Sequence, residues 1–275
     1  MSALDKAIEA SLEGMNLRSS REGAAITATR GAGLQRTSAT LNLDPLRAWL
    51  DAHPGADLKR ATGAFARGVH AVLNEPPNSD AAAWSFVEAA GRLTPSIEFA
   101  TFETGVQATG SGRPWLVDFS PDLSVAYTIE LDRGTRMLTW AQFLQWGVTP
   151  DRVTSASRSL LYYKTAQHAL GGGFEPDAAS GGQTYSVGDG IGAARALILG
   201  DLDYHRARRG ILFAVPHPDL LLTLDQQTDP AALDRFKAAA QAAYSAADFP
   251  LSPLIYTHAA SGAGDHRALE TPAWA

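Results

Sequence analysis

The sequence predicts an α+β fold, built from repeated strand-strand-helix units whose helices pack on an antiparallel or mixed sheet. Three observations predict it. Two strand-like runs precede a capped helix three times, near residues 24–52, 125–146 and 211–247. The helical segments carry apolar residues at i, i+3 and i+4, whereas the strand segments alternate or run apolar between glycine- and proline-rich turns. The passage from Leu41 to Trp49, with Pro54-Gly55 and a long helix after it, also parallels Leu138 to Trp146, with Pro150-Asp151 and a long helix after it. The identities are few, so duplication and shared strand-strand-helix grammar both explain the recurrence.

The elements follow in order. Residues 3–14 place Leu4, Ala7, Ile8 and Leu12 at helical spacing, and Gly14 is a stop signal. Residues 24–30 and 36–43 alternate as two strands around Gly31-Ala32-Gly33. Asp44-Pro45 opens a helix, because proline at the first helical position forfeits only an N–H that has no partner there. His53-Pro54-Gly55 breaks that helix, and Asp57 opens a second one to Leu73 with Leu58, Phe65, Val69 and Val72 as its stripe. The proline-rich passage at 75–80 is the expected boundary between an N-terminal unit, 1–75, and a main domain, 80–258. Residues 81–90 read as a short helix, and 97–102, 115–119 and 125–131 as strands.

Thr139 caps a helix that Gly147 ends, and Thr149-Pro150-Asp151 starts another to about residue 170. The glycines of 171–173 and 181–182 bracket an expected mobile insert. Residues 211–224 form a hairpin whose two apolar strands meet at Pro216-His217-Pro218-Asp219, Asp229-Pro230 starts a helix striped by Leu233, Phe236, Ala240 and Tyr244, and 254–257 is a last strand. Residues 259–275 are small and polar and read as a tail.

Composition bounds the function. The 275 residues are 45% hydrophobic and 19% charged, enough for a substantial core. No cysteine is present, which removes disulfides and thiolate metal sites. A net charge of −6 argues against broad nucleic-acid binding, which needs a basic face. Residues 1–14 show no basic-then-apolar leader, and no window reaches the ~18 apolar residues of a membrane span. The expectation is a soluble, cytoplasmic, bacterial protein.

Four features carry potential chemistry. Gly188-Asp189-Gly190-Ile191-Gly192 follows a strand-like 185–187 and opens a helix bearing Arg195, so its N–H groups can hold a phosphate or carboxylate. A dinucleotide fold would place an acid about twenty residues on. Arg208-Arg209-Gly210 stands there instead, so the turn reads either as a generic anion site or as plain turn chemistry. His205, Arg206, Arg208 and Arg209 form the densest basic cluster and read either as a docking patch or as a helix C-terminus matched to its dipole. His217 and Asp219 sit two apart at a Pro-His-Pro-Asp corner, as an acid/base pair or as a turn cap. Trp49, Trp84, Trp140 and Trp146 read as core. Most of Glu98, Glu103, Asp118, Asp122, Glu130 and Asp132 read as the solvent side of strands.

Particular residues bring one family into view. The run Tyr127-Thr128-Ile129-Glu130-Leu131-Asp132, then Arg136-Met137-Leu138-Thr139 and Trp146-Gly147-Val148-Thr149, resembles the YtpQ-like bacterial family, the domain of unknown function numbered 1444. Asp189-Gly190, Arg195, Ala214-Val215-Pro216 with Asp219-Leu220-Leu221, and Pro250-Leu251-Ser252 resemble its later motifs. Two positions depart from it: Ala194 replaces an expected serine, and His217-Pro218 replaces an expected Asn-Arg. The resemblance implies the order of elements over 123–257 and implies no activity.

The leading functional expectation is therefore a binding or protein-interaction protein without catalysis and without a cofactor or metal. Its candidate surface is Gly190, Gly192, Arg195, Arg206, Arg208, Arg209, His217 and Asp219. The second expectation is an enzyme or binder of an anionic, phosphate-bearing small molecule at 188–195. An unknown protein partner and a homo-oligomer joined through an apolar sheet edge complete the expected partners.

Overall fold

A computed structural model describes residues 2–23, 25–32, 36–77, 79–169, 175–177, 182–258 and 266–268. The fold is α+β, with three antiparallel sheets and helices packed against them.

The first sheet joins β1 (Arg18–Glu22), β2 (Ala25–Arg30) and β3 (Thr37–Leu41) in that order. Helices α1 (Ala3–Gly14), α2 (Asp44–Ala52) and α3 (Leu58–Leu73) accompany it. Ser2 and Asp5 form a reciprocal capping box on α1, satisfying two of the N–H groups that every helix start leaves without a partner. Ile8 and Leu12 of α1 bury against Ile26, Leu41, Leu46, Phe65 and Val69. Strand β1 was not foreseen. It reads Arg-Ser-Ser-Arg-Glu, every residue is exposed, and as an edge strand it pairs only with β2, so no apolar face announces it.

The second sheet runs β4 (Leu93–Phe99), β6 (Leu123–Glu130), β5 (Leu116–Asp118), with β7 (Thr135–Met137) also pairing to β6. Helices α4 (Phe86–Ala90), α5 (Thr101–Ala108), α6 (Trp140–Trp146) and α7 (Pro150–Ala169) surround it. The expected strand at 97–102 stops at Phe99, and α5 follows. Phe102, Gly105 and Val106 fall at i, i+3 and i+4, and that face packs on α3. Gly68 and Gly105 let the two backbones meet: a Cβ on Gly68 would lie 2.2 Å from the Phe102 carbonyl oxygen, and one on Gly105 2.0 Å from that of Phe65.

The third sheet has the order β13-β12-β10-β11-β9-β8. Its strands are β8 (Glu175–Asp177), β9 (Gly182–Tyr185), β10 (Ile211–His217), β11 (Leu220–Asp225), β12 (Ile255–His258) and β13 (His266–Ala268). A 3₁₀ turn at Ala193–Ile198, then α8 (Leu199–Leu202) and α9 (Tyr204–Arg209), lead into β10, and α10 (Pro230–Ala246) follows β11. Successive strand residues face opposite sides. Ile211, Phe213 and Val215 enter the core shared with the second sheet, while Leu212 and Ala214 pack with Phe236 and Ala240 of α10. Burial on both faces is why this hairpin reads as continuously apolar.

The strand-strand-helix recurrence is present as β2–β3 before α2, β6–β7 before α6 and β10–β11 before α10. Most of the expected mobile insert, 171–174 and 178–181, lies outside the described residues, as does the expected tail apart from 266–268. Among the described residues, no helix is long and apolar enough to cross a membrane.

Two central carboxylates correct the solvent-side expectation. Glu98 accepts two hydrogen bonds from Arg67, at 2.6 and 2.9 Å, and is 2% exposed. Asp122 is buried and accepts from Arg60 at 2.6 Å. Both arginines project from α3, so two ion pairs fix the first unit against the second. Removing one partner of such a pair strands a charge in the interior, at a cost of about 3–5 kcal/mol.

Candidate functional site

The N–H groups of the glycine turn are taken up by a carboxylate of the chain itself. Gly188 and Gly190 have φ of 72° and 73°, the left-handed region that glycine tolerates best. Their N–H groups converge on Asp219: Gly188 N–H donates to one carboxylate oxygen at 2.9 Å and Gly190 N–H to the other at 3.1 Å. The Ser186 hydroxyl adds a third bond at 3.2 Å. Gly192 approaches the Asp219 backbone so closely that a Cβ there would sit 2.4 Å from its carbonyl. Asp219 thus occupies the position in which a phosphate or external carboxylate would be held.

Arg195 is fully buried. Its two terminal nitrogens donate to both oxygens of Asp189, at 3.0 and 2.5 Å, and Nε donates to the Thr165 hydroxyl at 3.1 Å. Its guanidinium lies 4.2 Å from the centre of the Tyr185 ring. Burial pushes the Asp189 carboxyl up, yet the bonds and charge of Arg195 outweigh it and hold the group below the ordinary aspartate value. The structure therefore brings Gly190, Gly192, Asp219 and, through Asp189, Arg195 into one internal network. His217 is half-buried beside it, and burial lowers its pKa against the pull of Asp219.

The 206–209 arginines do not join this group. Arg206 donates to Asp225 at 2.6 Å and to Gln183 at 2.5 Å, clipping β9 to β11. Arg208 and Arg209 are exposed, with Arg208 5.8 Å above the Tyr204 ring. An open groove of about 670 Å³ lies nearby, lined by Ser155, Arg158, Tyr162, Asp201 and Tyr204, and the Arg158–Asp201 ion pair spans it.

A more enclosed pocket of about 380 Å³ lies between the α2–α3 corner, β4 and α10. The α2–α3 corner supplies Trp49, His53, Asp57 and Arg60, β4 supplies Phe99, and α10 supplies Tyr244. Local chemistry builds each wall. His53, four residues after Trp49, stacks on its ring at 4.2 Å and shares a hydrogen through Nδ1 with the Trp49 carbonyl at 2.8 Å. Because a carbonyl only accepts, Nδ1 carries the hydrogen, and Nε2 of the neutral ring is an acceptor. Trp49 meets Phe99 edge-on at 5.4 Å.

Asp57 caps α3, accepting the N–H groups of Lys59 and Arg60, and takes the Tyr244 hydroxyl at 2.7 Å. Burial first, and then the bond to Asp57, raise the Tyr244 pKa above the usual phenol value. Arg60 stacks over Phe99 at 3.8 Å with its charge turned to Asp122. Behind it, Asp122 also accepts from Ser120 at 2.7 Å, and Tyr256 donates to Ser252 at 2.6 Å.

Sequence reasoning missed this pocket. Tyr244 falls on the apolar stripe of its helix and Trp49 at a core-like position, so both read as packing. The available signal was the i, i+4 pair Trp49–His53 ahead of a Pro-Gly corner and a capping aspartate. Among the described residues, no cluster of three or more His, Asp or Glu side chains is placed to hold a metal ion. Comparison with family models, with curated proteins and with solved structures finds no match.

Proposed function

We propose that this chain is a ligand-binding protein whose site is the pocket formed by Trp49, His53, Asp57, Phe99 and Tyr244. One observation carries the reading: a cavity of about 380 Å³ walled mainly by apolar residues, Trp49, Phe99 and Tyr244 among them, with a few polar groups at its wall. Small-molecule sites have this character, in this size range, and favour junctions between structural units. The anionic-ligand reading at 188–195 has less support, because the donors that would hold the anion already serve Asp219.

Membership of the YtpQ-like family belongs to the same proposal. Its support is the order of the hairpin β6–β7, the helix ended by Gly147, the Asp189–Arg195 turn and the hairpin β10–β11.

The pocket reading is tested by ligand-observed NMR with an aromatic fragment library. Ala56 also lines the cavity, and Ala56→Phe fills it without removing a wall. Fragments that bind the natural chain are expected to lose their signal with Ala56→Phe while its circular dichroism and Tm stay within the natural range. Equal binding to both proteins would place the site elsewhere.

A further inference from the structure

Resting on that pocket reading, we infer the class of ligand: an apolar, ring-sized body carrying a cationic, hydrogen-bond-donating head, a primary or secondary amine. Three side-chain acceptors at the wall have capacity left over. Asp57 Oδ1 takes the two N–H groups of the helix start, and Oδ2 takes one bond from Tyr244, which leaves Oδ2 a lone pair. The Tyr244 oxygen has spent its hydrogen on Asp57 and can only accept further. His53 presents Nε2, since Nδ1 is used on Trp49.

The charge balance agrees. Arg60 is matched by buried Asp122 at 2.6 Å and its guanidinium carbon lies 3.8 Å from the centre of the Phe99 ring, so the pair contributes no net charge to the cavity. Asp57 then leaves a net charge of −1 among the lining residues and this partner. A carboxylate or phosphate head would meet the Asp57 charge and the lone pairs of Tyr244 and His53.

Three probes isolate the head group. Tryptamine, tryptophol and indole-3-acetate share an indole ring on a short arm and end in ammonium, hydroxyl and carboxylate. Their dissociation constants are measured by calorimetry on the natural chain and on Asp57→Asn, which keeps a cap acceptor for α3. The expected result is tryptamine tighter than indole-3-acetate by about threefold to fivefold, since Asp57 is itself exposed and water screens the pair. In Asp57→Asn the ratio is expected to fall to about one.

Asp57→Glu, which restores a carboxylate at this position, is expected to restore the preference and separates loss of charge from a merely structural effect of the asparagine change. Equal affinities for the three probes would overturn the amine assignment while leaving the pocket reading intact. Indole-3-acetate binding tightest would also overturn it and point to Arg60 as the recognising group. No binding by any of the three, with the natural chain also silent toward aromatic fragments, would remove the pocket reading and this inference together.

Discussion

His70 lies on α3, half-buried, with Arg30 and Arg67 close enough to repel a proton. Burial first and these two charges second bring its pKa down from 6.5 to about 4. The sign follows. Above pH 6.5 the ring is neutral in both folded and unfolded chains. Between pH 6.5 and 4 the unfolded chain takes up a proton that the folded chain refuses, so stability falls as pH falls. From pH 7 to pH 4.5 this one group removes about 2–3 kcal/mol. His70→Gln is therefore expected to lose less in urea midpoint over that interval than the natural chain. Equal losses in the two proteins would show that His70 titrates normally. Little of this was legible beforehand, because a lone histidine in a helical stripe gives no sign of which arginines the fold sets around it.

At the scale of elements, the α3–α5 crossing is the tightest constraint. The Gly68 and Gly105 backbones sit where no side chain fits, each against the other helix's carbonyl. Gly105→Ala would raise helix propensity by about 1 kcal/mol at an exposed site. Here the methyl must push the helices apart, and the expected net loss is on the order of 3 kcal/mol. Urea denaturation reads this as a lower midpoint at unchanged slope; a change under about 0.5 kcal/mol would mean that the crossing adjusts freely.

Capped helices and two-sided strands were the legible elements. Thr139, Asp57 and Asp229 cap where their side-chain chemistry predicts, and Gly147 ends α6 in the left-handed region. Strand β1 and helix α5 were not legible. One has no buried face, and the other carries a mid-helix glycine whose purpose appears only when α3 is beside it.

Across the whole molecule, the first unit is held by the ion pairs Arg60–Asp122 and Arg67–Glu98, and α10 reaches back through Tyr244 to Asp57. The aromatic pocket is a product of that assembly. Its walls are far apart in the chain, Tyr244 lying 187 residues after Asp57, so the Trp49–His53 spacing marks one wall and nothing local ties the others to it. The opposite holds for the glycine turn. Its Gly-Asp-Gly pattern was plain in the sequence, but the residue filling it, Asp219, is 29 positions beyond Gly190 and was assigned a separate role. The N–H groups of a legible motif can thus be taken up within the chain, by a residue that no local spacing ties to it.

Crystals soaked with tryptamine and, separately, with tryptophol test most directly where this chain binds. The expected density places the indole of at least tryptamine among Trp49, Phe99 and Tyr244, with its nitrogen head within hydrogen-bond reach of Asp57 Oδ2. An empty pocket, with the ring seated instead on the Tyr162–Tyr204 groove or with Asp219 displaced from the Gly188–Gly192 turn, would contradict it.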